Sequence, residues 1–239
     1  MIPIKDYPGT RRSFPWVMLS LVLANILVFI FELGIGDSRA LDRLFASAGV
    51  VPVEFTQGTI VAPPPPLGIT WITLFTSMFL HGGLLHIGSN MLYLFIFGDN
   101  VEDRLGRLRF VLFYFLCGLA AGATHILANP SSTVPSIGAS GAIAGVLAGY
   151  LVLFPHAEVR TLLLIGPFIL MPRIAAAFLI VFWFITQLFD SVMSLGATSE
   201  QTSGGVAVWA HVGGFIAGLI LVRLMRPRQP VGVLGGSAP

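Results

Sequence analysis

Apolar residues gather into six runs along the chain, at about 16–33, 83–98, 108–128, 138–154, 174–193 and 205–224. An α-helix needs roughly 20 such residues, range ~17–25, to cross a hydrocarbon core about 30 Å thick. The pattern therefore predicts six membrane-spanning helices. The longest stretch outside them, 34–70, holds Asp37, Arg39, Asp42, Arg43, Glu54 and four consecutive prolines, Pro63 to Pro66. Its residues 38–48 fit a short amphipathic helix lying on the outer surface. The segment GDNVEDRLGRLRF (98–110) reads as a charged inner turn. The segment PHAEVRTLLLIGPFILMPR (155–173) has an apolar centre too short to span, broken by Gly166 and Pro167, and is placed at the interface. The runs at 83–98 and 138–154 look short. At ~1.5 Å per residue the second covers roughly 25 Å, so its outer end, with Ser140, should lie below the outer surface in a water-filled cavity.

Composition agrees with the pattern. Hydrophobic residues make up 55% of the 239 and charged residues only 10%, with a mean hydropathy of +0.88. A soluble domain carries about 25% charged residues. The expectation is an all-α membrane protein, one polytopic domain over 1–239 with no separate soluble part. A net charge of +2 gives no reason to expect nucleic acid. Placing the first residues inside puts Lys5, Arg11, Arg12, Arg104, Arg107, Arg109, Arg160, Arg173, Arg223, Arg226 and Arg228 on that side, against only Arg39 and Arg43 outside. This satisfies the positive-inside rule for six spans with both termini cytoplasmic. No small-residue cleavage site follows the first run closely, so it reads as a retained helix rather than a secretory signal. Cys117 is the only cysteine, which leaves no intramolecular disulfide.

Polar groups inside spans are costly and default to functional hypotheses. Three places stand out: Ser140 in SIGASGAIAG (136–145), His81, His86 and Asn90 in HGGLLHIGSN (81–90), and His211 in AHVGGFIAG (210–218). His86 and Asn90 are four apart and share a helix face, while His81 lies off that face toward the outer mouth. All four of Ser140, His86, Asn90 and His211 fall at similar depth in the expected topology. Gly141, Gly145 and Gly149 repeat every four residues, and Ala207, His211, Gly214 and Gly218 form a second small face. Small residues at this spacing let helix backbones approach closely in lipid. If those faces pack, the His211 ring reaches the Ser140 hydroxyl, a weak nucleophile that needs a base to take its proton. His86 and Asn90, with the Ser140 backbone N–H, can then aim donors at a developing oxyanion.

Blander readings exist for each feature. Glycine stripes in membrane helices mostly serve packing, and a serine in a span commonly bonds its own backbone. His125 near an outer end and His156 at the inner interface read as structural. Arg104, Arg107 and Arg109 are topology determinants, and Glu32 is expected to reach water. A soluble α/β-hydrolase is excluded: Gly138-Ala139-Ser140-Gly141-Ala142 lacks the closing glycine of the nucleophile elbow, and no strand precedes it. No carboxylate lies at the depth of His211, so a Ser-His dyad remains rather than a triad. No metal motif is present.

The three segments together resemble the signatures of the rhomboid intramembrane serine proteases, with similarity over roughly 71–225. The resemblance implies a rhomboid-like six-helix bundle with Ser140 as nucleophile and His211 as general base and then acid. It also implies an oxyanion hole from His86, Asn90 and Ser140. The substrates would be transmembrane segments of other proteins, cut at small residues where the helix unwinds, with membrane lipids around them and no cofactor or metal. It sets no oligomeric state. The EDRLG stretch (102–106) is similar to a structural feature of the family. Two positions depart from the family pattern. Trp71-Ile72 lacks an arginine after the tryptophan. Ala144 stands where some members carry an aromatic residue stacked on the histidine. Phe182, Trp183 and Phe184 are candidate gate residues. Rival readings are a non-catalytic, client-binding relative, which typically lacks the serine or histidine kept here, and a histidine-relay transporter, which predicts internal repeats that are not seen. The compact form suggests a prokaryotic cytoplasmic membrane.

Overall fold

A computed structural model of the chain describes residues 1–7, 13–61, 63–194 and 208–225. Arg11, Arg12, Arg226, Arg228 and the expected start of the last helix, 205–207, lie outside these residues. The helices, in order, are α1 (Trp16–Gly34), α2 (Ser38–Ala48), α3 (Pro52–Thr56), α4 (Thr73–Thr76), α5 (Leu84–Leu105), α6 (Arg107–Ala128), α7 (Ser140–Leu153), α8 (Ala176–Ser194) and α9 (Val208–Leu224). Strands β1 (Ile2–Tyr7), β2 (Glu158–Ile165), β3 (Phe168–Leu170) and β4 (Arg173–Ala175) complete the order. Among the described residues α1 and α6 are long and apolar enough to cross a membrane by themselves. Residues 70–79 with α5 make a third span if the 83° bend between them is counted within one crossing. The helices α7 and α9 are shorter apolar segments, as is the Ala176–Thr186 part of α8.

The centre of the bundle is α7, whose residues 141–150 are all buried. It reads SGAIAGVLAGYLVL, and its small residues are the reason it can sit there. A Cβ added at Gly214 would land on the Gly141 carbonyl oxygen, and one at Gly218 on that of Gly145. A Cβ at Gly145 would meet the Cys117 sulfur of α6, and one at Gly149 would lie 3.0 Å from the Phe113 ring. Backbone thus touches backbone where α7 crosses α9, the close approach that small residues permit when lipid supplies no hydrophobic drive.

The structure departs from the sequence expectation in three places. First, the helix expected at 83–98 runs on to Leu105, and the charged stretch is helical rather than a turn. Its polar side chains have partners. Glu102 accepts from the Val17 and Met18 amides at 3.1 and 2.7 Å. Asp103 accepts from the Ser13 amide and hydroxyl at 2.8 and 2.7 Å. Two carboxylates of α5 therefore satisfy the orphan donors at the start of α1, a capping task usually done locally. Gly106, at φ +83°, ends α5, and α6 begins at the next residue. Glu102→Ala leaves the buried Met18 amide and the part-buried Val17 amide without that acceptor and is expected to destabilise the fold by ~1–3 kcal/mol. Thermal unfolding in detergent should show the loss, while the protein that remains folded keeps full activity.

Second, the chain is not all-α. The connector 155–173 and the first residues form a small antiparallel sheet. Ile2 to Tyr7 pair with Leu162 back to Glu158, β4 pairs with the start of β2, and β3 folds back on its end around Gly166 at φ +56°. Strands whose partners lie this far apart in the chain leave no local signature, so the apolar connector gave no sign of its mate. The hairpin end exposes Leu164, Phe168, Ile169, Leu170 and Met171. Asp6, next to β1's end, accepts from Asn100 of α5 and from the Tyr150 hydroxyl of α7, each at 2.8 Å. The sheet and the ends of α5 and α7 thus share one end of the bundle.

Third, Glu32 does not reach water. It is 3% exposed and accepts from the His81 amide at 3.1 Å. His125, read as structural, is fully buried. At this opposite end α2 occupies 38–48, capped by the Asp37 carboxylate on the Arg39 amide. Val50 and Ser136 exchange backbone bonds of 3.0 and 2.8 Å, and the Val53 amide bonds the Ser132 carbonyl at 3.1 Å. These contacts pin the segment that leads into α7.

Candidate active site

Ser140 is the first residue of α7, and the backbone turns sharply to reach it. Gly138 has φ +122°, a conformation that side-chain-bearing residues rarely adopt, and its amide is held by the Ser77 carbonyl at 2.8 Å. A Cβ there would sit 2.7 Å from His86 Nε2 and 3.7 Å from Ser140 Oγ. The bare Gly138 Cα is thus what leaves room between the two side chains. In the sequence Gly138 stands only as the opening glycine of a G-x-S stretch, and its close approach to His86 shows only in the fold. The amides in the first turn of α7 lack intrahelical acceptors and carry the positive end of the helix dipole.

His211, in the first turn of α9, places Nε2 2.7 Å from Ser140 Oγ. The α7–α9 backbone contact at Gly141 and Gly214 sets this spacing. His211 is 3% exposed, and its Nδ1 has no hydrogen-bond partner among the described residues. On the imidazole side, Trp183 of α8 lies with its ring centroid 5.4 Å away, tilted by 59°.

His86, in the first turn of α5, accepts at Nδ1 from the Gly82 amide at 3.4 Å. A neutral imidazole that accepts at one nitrogen carries its proton on the other. Nε2–H is then the donor, and it is the atom facing Gly138 and Ser140. Asn90, one turn later, is 4% exposed, and its Nδ2 has no partner among the described residues. A buried donor left open this way is rare and calls for an acceptor from outside. His81 is almost wholly buried with its ring centroid 5.0 Å from that of His86, so it backs His86 rather than lining an outer mouth.

A cavity of about 40 Å³ adjoins Ser140, between Ser77, Ser136, Gly138 and Gly118. This exceeds the ~10–15 Å³ of such volume that one water needs. Among the described residues no group of three or more His, Cys, Asp or Glu side chains is placed to hold a metal ion. The three residues 182–184 divide. Phe182 is partly exposed on the outer face of α8 with Phe178, Val181 and Ile185, whereas Trp183 is buried against His211 and Phe184 packs on Phe215 of α9. They do not act as one set. The chemistry available is that of a serine hydroxyl with a base in contact, beside donors without acceptors.

Comparison with known proteins agrees with the geometry. The family description "Rhomboid domain" matches residues 69–228. The chain is 26% identical to RHOMBOID-like protein 1 of Arabidopsis thaliana over 93% of its own length and 57% of the relative. It is 35% identical to Rhomboid protease GluP of Bacillus subtilis over 61% of this chain and 25% of that protein. It is 37% identical to the mitochondrial Rhomboid protein 1 of Saccharomyces cerevisiae over 37% of this chain and 27% of the relative. The chain spans about half the length of the first of these curated relatives. Plant, mitochondrial and bacterial relatives together do not support a prokaryotic cytoplasmic membrane in particular. The apolar helices and the match over two thirds of the sequence place this integral membrane protein in the rhomboid family.

Proposed function

We propose that the protein is an intramembrane serine endopeptidase that cleaves transmembrane segments of other membrane proteins with a Ser140–His211 dyad. The observation that carries this reading is the 2.7 Å contact between His211 Nε2 and Ser140 Oγ at the buried start of α7. The proposal includes six spans over one polytopic unit, with both termini cytoplasmic. The charge distribution supports it, as does the shared end of the bundle on which β1 and the 155–175 connector meet.

In the proposed reaction His211 Nε2 takes the Ser140 proton as Oγ attacks the peptide carbonyl. The tetrahedral oxyanion is held by His86 Nε2–H, Asn90 Nδ2–H and the Ser140 amide. The intermediate collapses as the new imidazolium gives its proton to the leaving amine, which departs with its half of the substrate. Water from the cavity beside Ser140 then loses a proton to His211 and attacks the acyl ester. His211 returns that proton to Ser140 Oγ as the acid product leaves. A peptide bond within a helix is hydrogen-bonded and shielded, so local unwinding of the substrate precedes attack.

Treatment with a fluorophosphonate tests the reading without a known substrate. The expected result is one adduct, mapped to Ser140 by mass spectrometry and lost in His211→Ala. A folded wild-type protein that takes no adduct would favour the client-binding alternative.

A further inference from the structure

The His211 ring is held at one end only. Its Nε2 contacts Ser140, but its Nδ1 is buried and finds no hydrogen-bond partner among the described residues, so none of these fixes rotation of the imidazole about that contact. A base that must accept and return a proton along one line needs that rotation controlled, since small misplacements of reacting groups are costly. The orientation therefore has to come from packing. Helix α7 offers little, because Ala144, one turn beyond Ser140, is fully buried and presents only a methyl group. The aromatic surface against His211 comes instead from α8. Trp183 is 7% exposed, and its indole meets the imidazole at 5.4 Å. It has its own support, with the Tyr93 ring 5.6 Å away and Tyr93 stacked on Phe97 at 5.9 Å and 26°. Tyr93 lies on α5, three residues beyond Asn90.

Building on the dyad reading above, we infer that Trp183 is a positioning residue, an aromatic strut from α5 through α8 that holds the His211 imidazole on line with Ser140. Tilted aromatic contacts at this distance are favourable. The strut belongs to this chain's own arrangement, in which a residue of α8 does what α7 leaves undone. Its consequence is that seating of α8 and competence of the base are linked. An outward displacement of α8 withdraws Trp183 from His211, so the chemistry proceeds only with α8 in place.

The test compares wild type with Trp183→Leu and Trp183→Phe, with thermal unfolding in detergent as the check on folding. Two rates are read. One is fluorophosphonate labelling of Ser140, which uses a small probe. The other is cleavage of a labelled single-span model helix with a Gly/Ala-rich end, resolved into kcat and KM. Trp183→Leu should lower labelling and kcat about tenfold with KM unchanged, and Trp183→Phe should recover most of the loss. Labelling of Trp183→Leu at the wild-type rate overturns the inference. Unchanged labelling with faster cleavage of the model helix also overturns it and makes Trp183 a barrier to substrate entry. If Trp183→Leu does not fold, Tyr93→Leu removes the support behind the indole and should slow labelling about threefold; a wild-type rate there counts against the strut equally. A wild type that takes no adduct sinks the nucleophile reading itself, an outcome distinct from all of these.

Discussion

His211→Ala is expected to lower cleavage of a single-span model helix by about 10⁴-fold or more, and Ser140→Ala by a similar factor. Among the described residues, His211 Nε2 is the side-chain atom in hydrogen-bond contact with Ser140 Oγ, so His211→Ala removes the acceptor for its proton. The two residues act as one unit, so the double variant should be scarcely worse than either single one. Additive losses in kcat would mean that serine and histidine serve separate steps. Folding should be little affected. Ser140→Ala removes one oxygen at the rim of a small cavity, and His211→Ala removes one ring from its contact with Trp183. Thermal unfolding and retained binding of the model helix separate a catalytic loss from a structural one.

The second large effect concerns the donors. His86→Ala or Asn90→Ala should each lower kcat by about 10²–10³-fold with KM nearly constant, because a donor aimed at the developing oxyanion acts mainly in the transition state. The open valences motivate this: His86 accepts at Nδ1 and can donate at Nε2, and Asn90 Nδ2 has nothing to donate to among the described residues. Gly138→Ala offers an independent check from the other side. Its Cβ would intrude on the space shared by His86 Nε2 and Ser140 Oγ, at a φ that alanine tolerates poorly. Activity should fall by a comparable factor with both donors still present. Full activity in Gly138→Ala would show that the space between them holds no reacting atom.

Periodicity carried much of this into view before any coordinates. Glycines four apart on two apolar runs implied a close crossing, and a serine and a histidine on those runs follow the crossing into contact. Physical rules of this kind are local or involve two regular elements, which is why they succeed at Ser140 and His211. They fail where a polar side chain finds a distant partner. Glu102 and Asp103 look like a turn until the start of α1 is beside them. Glu32 looks solvated until the His81 amide meets it. The pairing of 2–7 with 158–165 has no counterpart in hydropathy at all, because its information lies in register across most of the chain. Trp183 is a different case: its residue type is plain, but which neighbour an aromatic side chain of α8 meets depends on helix rotation, which α8's nearly continuous apolar sequence does not specify.

That same sheet also sets an order of events during synthesis. About 150 residues separate Tyr7 from its partner Glu158, and at ~5–20 residues per second the ribosome takes roughly 10–30 s to cover them. Throughout that interval β1 is an unpaired edge at the head of α1, while α5, α6 and α7 are being inserted. Exposed edges invite wrong partners, so the nascent chain passes through a vulnerable window that closes only when β2 emerges. A ribosome stalled between Leu153 and Glu158 would hold every catalytic element except α9, yet leave the first strand still waiting for its mate.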